Sequence, residues 1–418
     1  MRLAIALALA TAALAAAPAH AATAYRGVQL SPLRMDPAGV TEELTLAKKA
    51  RVNLVKVDVS WAVLEPEAGA YSAEYLDRID DFTRAAAQRN LDVLLLLQTT
   101  PCWTDSDPAG PCDTDDGSDY PPQDHDAYGR AAALLAERFG SRIAAIEIWN
   151  EPDHVNEEYW KGDDKAGRYV QLVRATYSKV KDADSRVQVL AGSMVGASGA
   201  FLQQLYDAGI KGHYDGLSVH YYDLVLASLR SIKATLDANG DRSRVWLTEF
   251  GYTSCYPGRR RQEGHECVSR RQQGKFLLDI FRAVRKTRWV KAGVIYNMRD
   301  TEQYKFGLAS PTFEPKPVLR KLAKAFKRRR LAAPRKVKLR ETRKGVKLTA
   351  PVGDVMKLQA FKGPCKRQGR GSRARFEDDS LQLVRGRFHW KKRALRRGKW
   401  CIYAQHYWTG REAFRDLT

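Results

Sequence analysis

Up to residue 320 the chain alternates short apolar runs with longer stretches whose apolar positions recur at helical spacing. The short runs are Arg26–Leu30, Leu54–Val59, Val93–Leu97, Ala145–Trp149, Val187–Leu190, Gly216–His220, Val245–Phe250 and Gly293–Asn297. Near-continuous apolar character over five or so residues suits a strand buried on both faces. Between them, segments such as Glu74–Ala87, Asp126–Phe139, Gly167–Lys181, Ala200–Ala208, Leu224–Leu236 and Ser269–Lys286 carry the 3.6-residue period of amphipathic helices. Eight strands alternating with helices predict a parallel sheet closed as a (β/α)8 TIM barrel over residues 22–326. An open doubly wound sheet is the competing arrangement. Its dinucleotide-binding form is weakened because the first turn has no G-x-G-x-x-G.

Pro315-Lys316-Pro317 and a helix through Phe326 close the barrel pattern, and residues 327–334 read as a basic linker. Beyond it the runs Val337–Arg340, Gly345–Leu348, Val355–Ala360, Lys399–His406 and Glu412–Leu417 alternate with a period of two. That predicts a small all-β, sandwich-like C-terminal domain over residues 335–418.

Charge sharpens this division. Residues 22–320 carry 39 Lys and Arg against 41 Asp and Glu, whereas residues 321–418 carry 30 against 7. The net +22 of the chain therefore belongs to the tail and says nothing about chemistry in the barrel. Lys391-Lys392-Arg393 and Arg396-Arg397 lie near Trp390 and Trp400, a mixture that also suits nucleic acid. Residues 1–21 argue against that partner. They combine Arg2, an Ala/Leu run from Leu3 to Ala17 and Ala19-His20-Ala21, the order of an export signal peptide. A secreted protein meets anionic cell-wall polymers before it meets nucleic acid, so the tail is expected to bind such a polymer. A plain basic accessory domain is the alternative. No later run is long enough to span a membrane, and the chain is expected to act as a monomer.

Six cysteines fit export. They fall as near neighbours, Cys102 with Cys112, Cys255 with Cys267 and Cys365 with Cys401, and that pairing is expected although sequence leaves the connectivity open. No metal or cofactor is called for. The stretch Asp105–Asp126 holds eight aspartates, among them Asp113, Asp115, Asp116 and Asp119. Calcium favours such hard oxygens, but the order is not that of an EF-hand, and a solvated acidic loop is the expectation.

The chemistry of a barrel sits at the carboxyl ends of its strands. There the fourth strand ends Trp149-Asn150-Glu151-Pro152, the sixth ends His220-Tyr221-Tyr222 and the seventh ends Thr248-Glu249-Phe250-Gly251. Glu151 and Glu249 are 98 residues apart, three β-α units, which places both carboxylates on one rim facing each other. Facing carboxylates about 5–5.5 Å apart perform retaining glycosidic cleavage, one as acid/base and one as nucleophile. Glu147 falls on the opposite strand face from Asn150 and reads as structural.

Trp149-Asn150-Glu151-Pro152 and Thr248-Glu249-Phe250-Gly251 resemble the acid/base and nucleophile motifs of clan A glycoside hydrolases, in the manner of bacterial families 39 and 5. Tyr159-Trp160 behind Asp153 leans towards family 39, and Glu65-Pro66, Pro101 and Phe306-Gly307-Leu308 also fit. The likeness covers roughly residues 25–325, nearly the whole barrel. It implies Glu151 as acid/base, Glu249 as nucleophile and Asn150 on the sugar 2-hydroxyl. It also implies His220 and Tyr222 beside the nucleophile, and Trp61, Trp103 and Tyr296 as sugar-stacking rings, although each ring is as consistent with rim packing. One departure is Lys56, which stands where many relatives carry an Arg, keeping the charge without the fork. The expected function is hydrolysis of an oligo- or polysaccharide. A non-catalytic carbohydrate-binding protein on a retired barrel is the alternative from another class, and retention of both glutamates argues against it. A transglycosylase would use the same residues.

Overall fold

The computed structural model describes residues 24–327 apart from 111, 113–116, 157, 196–198, 223–225, 255–260 and 263–264. Beyond these it describes 338–342, 345–349, 354–365, 376–377, 382–384, 387–391, 399–406 and 412–417. The expected signal peptide and nearly all of the expected linker fall outside the described residues.

Eight parallel strands close into a barrel: β1 (Tyr25–Leu30), β2 (Leu54–Ser60), β3 (Asp92–Gln98), β4 (Ile143–Ile148), β5 (Gln188–Val195), β6 (Gly216–His220), β7 (Arg244–Phe250) and β8 (Val290–Ile295). Neighbours run β1-β8-β7-β6-β5-β4-β3-β2 around the ring. The (β/α)8 expectation is thus met, and the open sheet is excluded by the β1–β8 pairing of Tyr25 with Ala292 through Val28 with Ile295. Helices fill the connections: α1 (Pro37–Ala50), α2 (Trp61–Leu64), α3 (Ala73–Gln88), α4 (His125–Phe139), α5 (Lys165–Ala183), α6 (Ala200–Asp207), α7 (Leu226–Ala238), α8 (Arg270–Lys286) and α9 (Pro317–Lys327). The sequence reading did not single out α1. Asp36 starts it by accepting from the Gly39 amide at 2.7 Å, with Pro37 preset in the first turn. Ser72, Asp124, Asp164 and Ser269 begin α3, α4, α5 and α8 in the same way.

The barrel interior is layered, and the layers explain where chemistry can occur. Leu54, Leu94, Ala145, Leu190, Trp246, Ala292 and Val294 form an apolar floor. One layer nearer the carboxyl ends the inward residues become polar: Gln29, Lys56, Glu147, Ser218 and Thr248, all buried. A separate, larger apolar core lies between the strands and the helices.

Three strand pairs slip register at this upper rim: β5 against β6 between Ala191 and Met194, β6 against β7 between Val219 and His220, and β8 against β7 between Gly293 and Ile295. Regular alternation would place Glu249 on the face opposite Thr248. The slip pairs Glu249 with His220 instead and turns its carboxylate into the barrel mouth.

After the barrel, Lys338–Thr342, Gly345–Thr349 and Arg387–Lys391 form one antiparallel sheet. Asp354–Lys362 pairs with Trp400–His406, Phe376–Glu377 and Gln382–Val384, and Trp400–His406 with Glu412–Leu417, in a second. Both sheets match the all-β expectation. Disulfides join Cys102 to Cys112 and Cys365 to Cys401. Cys267 is also disulfide-bonded, while Cys255 lies outside the described residues. Among the described residues no helix is long and apolar enough to cross a membrane.

Candidate active site

Glu151 reaches the mouth through a strained turn. Trp149 and Glu151 have φ of 63° and 43°, left-handed values that non-glycine residues hold only when their surroundings enforce them. The enforcement is visible at Trp149. Its indole donates to the Tyr159 carbonyl at 2.6 Å, and its amide lies 3.2 Å from the Tyr128 hydroxyl, which itself donates to Leu97 O at 2.7 Å. With Trp149 buried and pinned, Asn150 and Glu151 follow onto the cavity wall.

Glu249 arrives from the opposite side. Lys56 Nζ donates to its Oε1 at 2.9 Å, and the Tyr222 hydroxyl donates to its Oε2 at 2.6 Å. Burial alone would raise its pKa, yet the charges of His220 and Lys56 and these two hydrogen bonds outweigh it and hold the carboxyl below the usual range. One oxygen each of Glu151 and Glu249, with a His220 nitrogen, lie within 4.8 Å of one another. His220 is buried between them, its Nδ1 at 2.6 Å from Glu151 Oε1 and 3.6 Å from Glu249 Oε2. Those donor atoms could in principle gather a cation, but Lys56, Tyr222 and His220 already serve the carboxylates.

Beneath the pair lies a charged layer that the sequence reading missed. Glu147, read from the sequence as structural, faces inward, 3.3 Å from Lys56 Nζ, and accepts from Ser193 Oγ at 2.9 Å. Ser193 Oγ also lies 3.0 Å from His220 Nε2. His220 Nε2 also stands 3.3 Å from Lys56 Nζ, so the ring links Glu151 on one side to Ser193 and Lys56 on the other, and Ser193 donates its hydroxyl hydrogen to Glu147. Burial disfavours charge on His220, but Glu249 and Glu151 prevail over it and over Lys56, and its pKa is raised. Glu147 could have been found from parity, since it, Ala145 and the other inward residues of β4 share one face. The slips that bring in Ser193 and Glu249 have no such signal.

The mouth is a cavity of about 640 Å³ lined by Glu151 and Glu249, with Asn150, Tyr222 and Tyr296 among the other walls. That size suits a small-molecule or sugar subsite. Tyr222, Tyr296 and Phe306 pack edge to face with centroids 5.6–5.9 Å apart and give it one aromatic wall. One expected sugar platform is not there. Trp61 is fully buried between Trp103 and Tyr128, its indole on Glu65 Oε2 at 2.7 Å, so it has no face to offer. Trp103 is half-buried outside the cavity lining and donates to the Glu65 carbonyl at 2.9 Å. Lys56 is wholly buried as well and meets Glu249 rather than substrate. Of the acidic loop, Asp113, Asp115 and Asp116 lie outside the described residues. Asp105 spends its oxygens on the amides of Asp107 and Cys112, and Asp124 caps α4.

A closed (β/α)8 barrel with glutamates meeting from β4 and β7 defines a clan A glycoside hydrolase. The chain belongs to the cellulase family, glycosyl hydrolase family 5, whose model matches residues 19–272. Over 149 residues it is 33% identical to the beta-galactosidase LacZ of Heyndrickxia coagulans, covering 32% of this chain and 21% of that one, so it spans about a fifth of that relative's length. Similar solved structures include a family 39 glycoside hydrolase from Bacteroides cellulosilyticus WH2, with TM-score 0.58, 18% identity and coverage of 81% and 74% of the two chains. A family 39 beta-xylosidase from Caulobacter crescentus superposes with TM-score 0.59 at 16% identity, covering 81% and 82%. The exo-beta-1,4-mannosidase Op5Man5 from Opitutaceae bacterium strain TAV5 gives 0.53 at 14%, covering 73% and 59%. At these identities the likeness is one of fold.

Proposed function

We propose that the protein is a secreted retaining glycosidase that cleaves O-glycosidic bonds of an oligo- or polysaccharide by double displacement. The observation that carries this is that one oxygen of Glu151 and one of Glu249 lie within 4.8 Å of each other, which favours the close pairing of retaining enzymes over the wider separation an inverting water needs. Glu249, kept ionised by Lys56 and Tyr222, attacks the anomeric carbon while Glu151 gives its proton to the leaving oxygen. Glu151 then takes a proton from water, which attacks the same carbon and releases the sugar with its configuration kept. Asn150, on the wall beside Glu151, would hydrogen-bond the 2-hydroxyl of the sugar.

Glu249→Ala is expected to abolish turnover of aryl glycosides, and azide to restore it as a glycosyl azide of inverted configuration. Wild-type turnover by that variant overturns the assignment. Glu151→Ala is expected to lose about 10²–10⁴-fold on substrates with poor leaving groups and much less on activated ones. Residues 22–326 would form the catalytic unit and residues 335–418 a basic module for anionic wall polymer. Residues 1–21 would be removed on export, so sequencing of the secreted protein should begin near Ala22.

A further inference from the structure

The strand that delivers Glu151 is held unevenly by its two neighbours. On the β3 side, pairing with β4 runs as far as Leu97 with Ile148, and the Trp149 amide still donates to the Leu97 carbonyl at 3.0 Å. On the β5 side it stops at Glu147 with Leu190. From there β5 turns through Gly192 (φ 119°) and Ser193 (φ 52°), and the two strands part just below the acid/base. Side chains bridge the gap. The Tyr169 hydroxyl, from α5, donates to the Ile148 carbonyl at 2.8 Å and accepts from the Gly192 amide at 2.7 Å. Further up, Asp153 Oδ1 accepts from the Val195 amide at 2.8 Å.

Asp153 belongs to the turn that carries Glu151 itself. The His154 amide donates to the Glu151 carbonyl at 3.0 Å, so residues 151–154 close a single turn over the buried Pro152. Glu151 enters that turn with φ of 43°, a conformation kept only while its surroundings enforce it. Trp149 is the upstream anchor, through its indole on the Tyr159 carbonyl. The downstream anchor is the Asp153 link to β5, which joins Glu151 and His154 to Val195 on the same cavity wall. Burial pushes the Asp153 carboxyl up to about 7; the amides of Val195 and of Asp153 itself work against this, Glu151 adds to it and His220 opposes it. Its charge is thus disfavoured where it stands, and what the fold uses is an oxygen that accepts an amide.

We propose that Asp153 is a positioning residue for the acid/base: by accepting the Val195 amide it takes over where the β4–β5 ladder ends and holds the Glu151 carboxyl in place to protonate the leaving oxygen. This rests on the glycosidase reading and deepens it with a residue that acts through Glu151. The effect is selective. A poor leaving group needs the proton, whereas one that is stable as an anion departs without much help. Glu249 has its own supports in Lys56 and Tyr222 and does not depend on the link.

The test measures kcat/KM of the full chain on aryl glycosides whose leaving groups run from dinitrophenol to phenol. Asp153→Ala is expected to lose about 10–100-fold on the phenyl glycoside and little on the dinitrophenyl one, so that the dependence on leaving group steepens. Asp153→Asn keeps an oxygen for the Val195 amide and should recover most of that loss. Val195→Pro removes the donor from the other end of the same bond and should reproduce the steepening. Combining it with Asp153→Ala should then cost little more than either change alone. Either single variant suffices if the other fails to fold. A merely structural role would lower all substrates alike. Equal losses on every leaving group, wild-type cleavage of the phenyl glycoside by folded Asp153→Ala, or losses that multiply in the double variant each overturn the positioning role while the glycosidase reading stands. A wild type that cleaves no aryl glycoside at all overturns that reading, and the positioning role with it.

Discussion

Lys56 is where a single residue controls the most chemistry. It is fully buried, with Glu249 at 2.9 Å and Glu147 at 3.3 Å, and the Coulombic pull of these carboxylates and Asp58 more than offsets the burial that disfavours its charge. Its ammonium is thus the fixed counter-charge of the whole layer. Lys56→Met removes the nearest cation from Glu249, whose carboxyl is held low, so the nucleophile's pKa rises. The sign follows: the acid limb of kcat/KM, where Glu249 takes up a proton, should move to higher pH by about one to three pH units. A pH profile on an aryl glycoside checks this, and an unmoved limb would detach Lys56 from the nucleophile. Taking one partner from a buried ion pair also costs about 3–5 kcal/mol, so thermal unfolding of the same variant should come at clearly lower temperature. The sequence revealed Lys56 only through comparison with an expected arginine. Glu147, its other partner, was read as structural; strand parity with Ala145 gives its inward face, whereas its pairing there with Lys56 and Ser193 depends on how the strands meet.

At the scale of elements, the eight strands were legible because strands buried on both faces leave apolar runs whatever their tertiary partners. Their register was not. The slips between β5 and β6 and between β6 and β7 depend on how two chains meet, and no local residue pattern encodes them. The β5 slip does leave one trace. Gly192 has φ of 119°, and a Cβ there would stand 2.4 Å from the Ser218 carbonyl oxygen. Only glycine lets β5 pass that close to β6 while turning Ser193 (φ 52°) towards Glu147 and His220. Gly192→Ala should therefore push the strands apart, cost about 1–3 kcal/mol of stability and displace Ser193 from the charged layer. Activity should fall with it, whereas Ser193→Ala should reduce activity at smaller cost to the fold. Comparing melting temperature with kcat/KM for the two variants checks the argument. If Gly192→Ala melts like the wild type, the close approach of the two strands is not what the glycine provides. The same tertiary dependence explains the rings. Trp61 sits just after β2, where a platform would be expected, yet one helical turn carries it into the core beside Tyr128.

For the molecule as a whole, charge separates the two tasks proposed for the one chain. The barrel portion is close to neutral and its cavity is lined by several carboxylates, so net charge gives it no general attraction for an anionic polymer. The last quarter, with 30 basic against 7 acidic residues, has the charge that the proposed wall-binding task requires. Attraction between such a tail and a polyanion reaches only about a Debye length, roughly 8 Å at physiological ionic strength and about 3 Å at 1 M salt. Binding to anionic wall material should accordingly be strong at low salt and be eluted as salt rises, while turnover of a small neutral glycoside stays nearly constant across the same range. Deleting residues 331–418 should abolish the salt-sensitive binding and leave kcat/KM on that small substrate unchanged. Reversing Lys391, Lys392, Arg393, Arg396 and Arg397 to glutamate in the full chain should reproduce the loss without removing any segment. Co-sedimentation with purified wall polymer, read beside aryl glycoside turnover, measures both properties on one sample. Wall binding that survives the deletion would transfer the task back to the barrel. A parallel fall in turnover would mean that the tail supports the active site, and the separation of charge would then have a structural cause and not a targeting one.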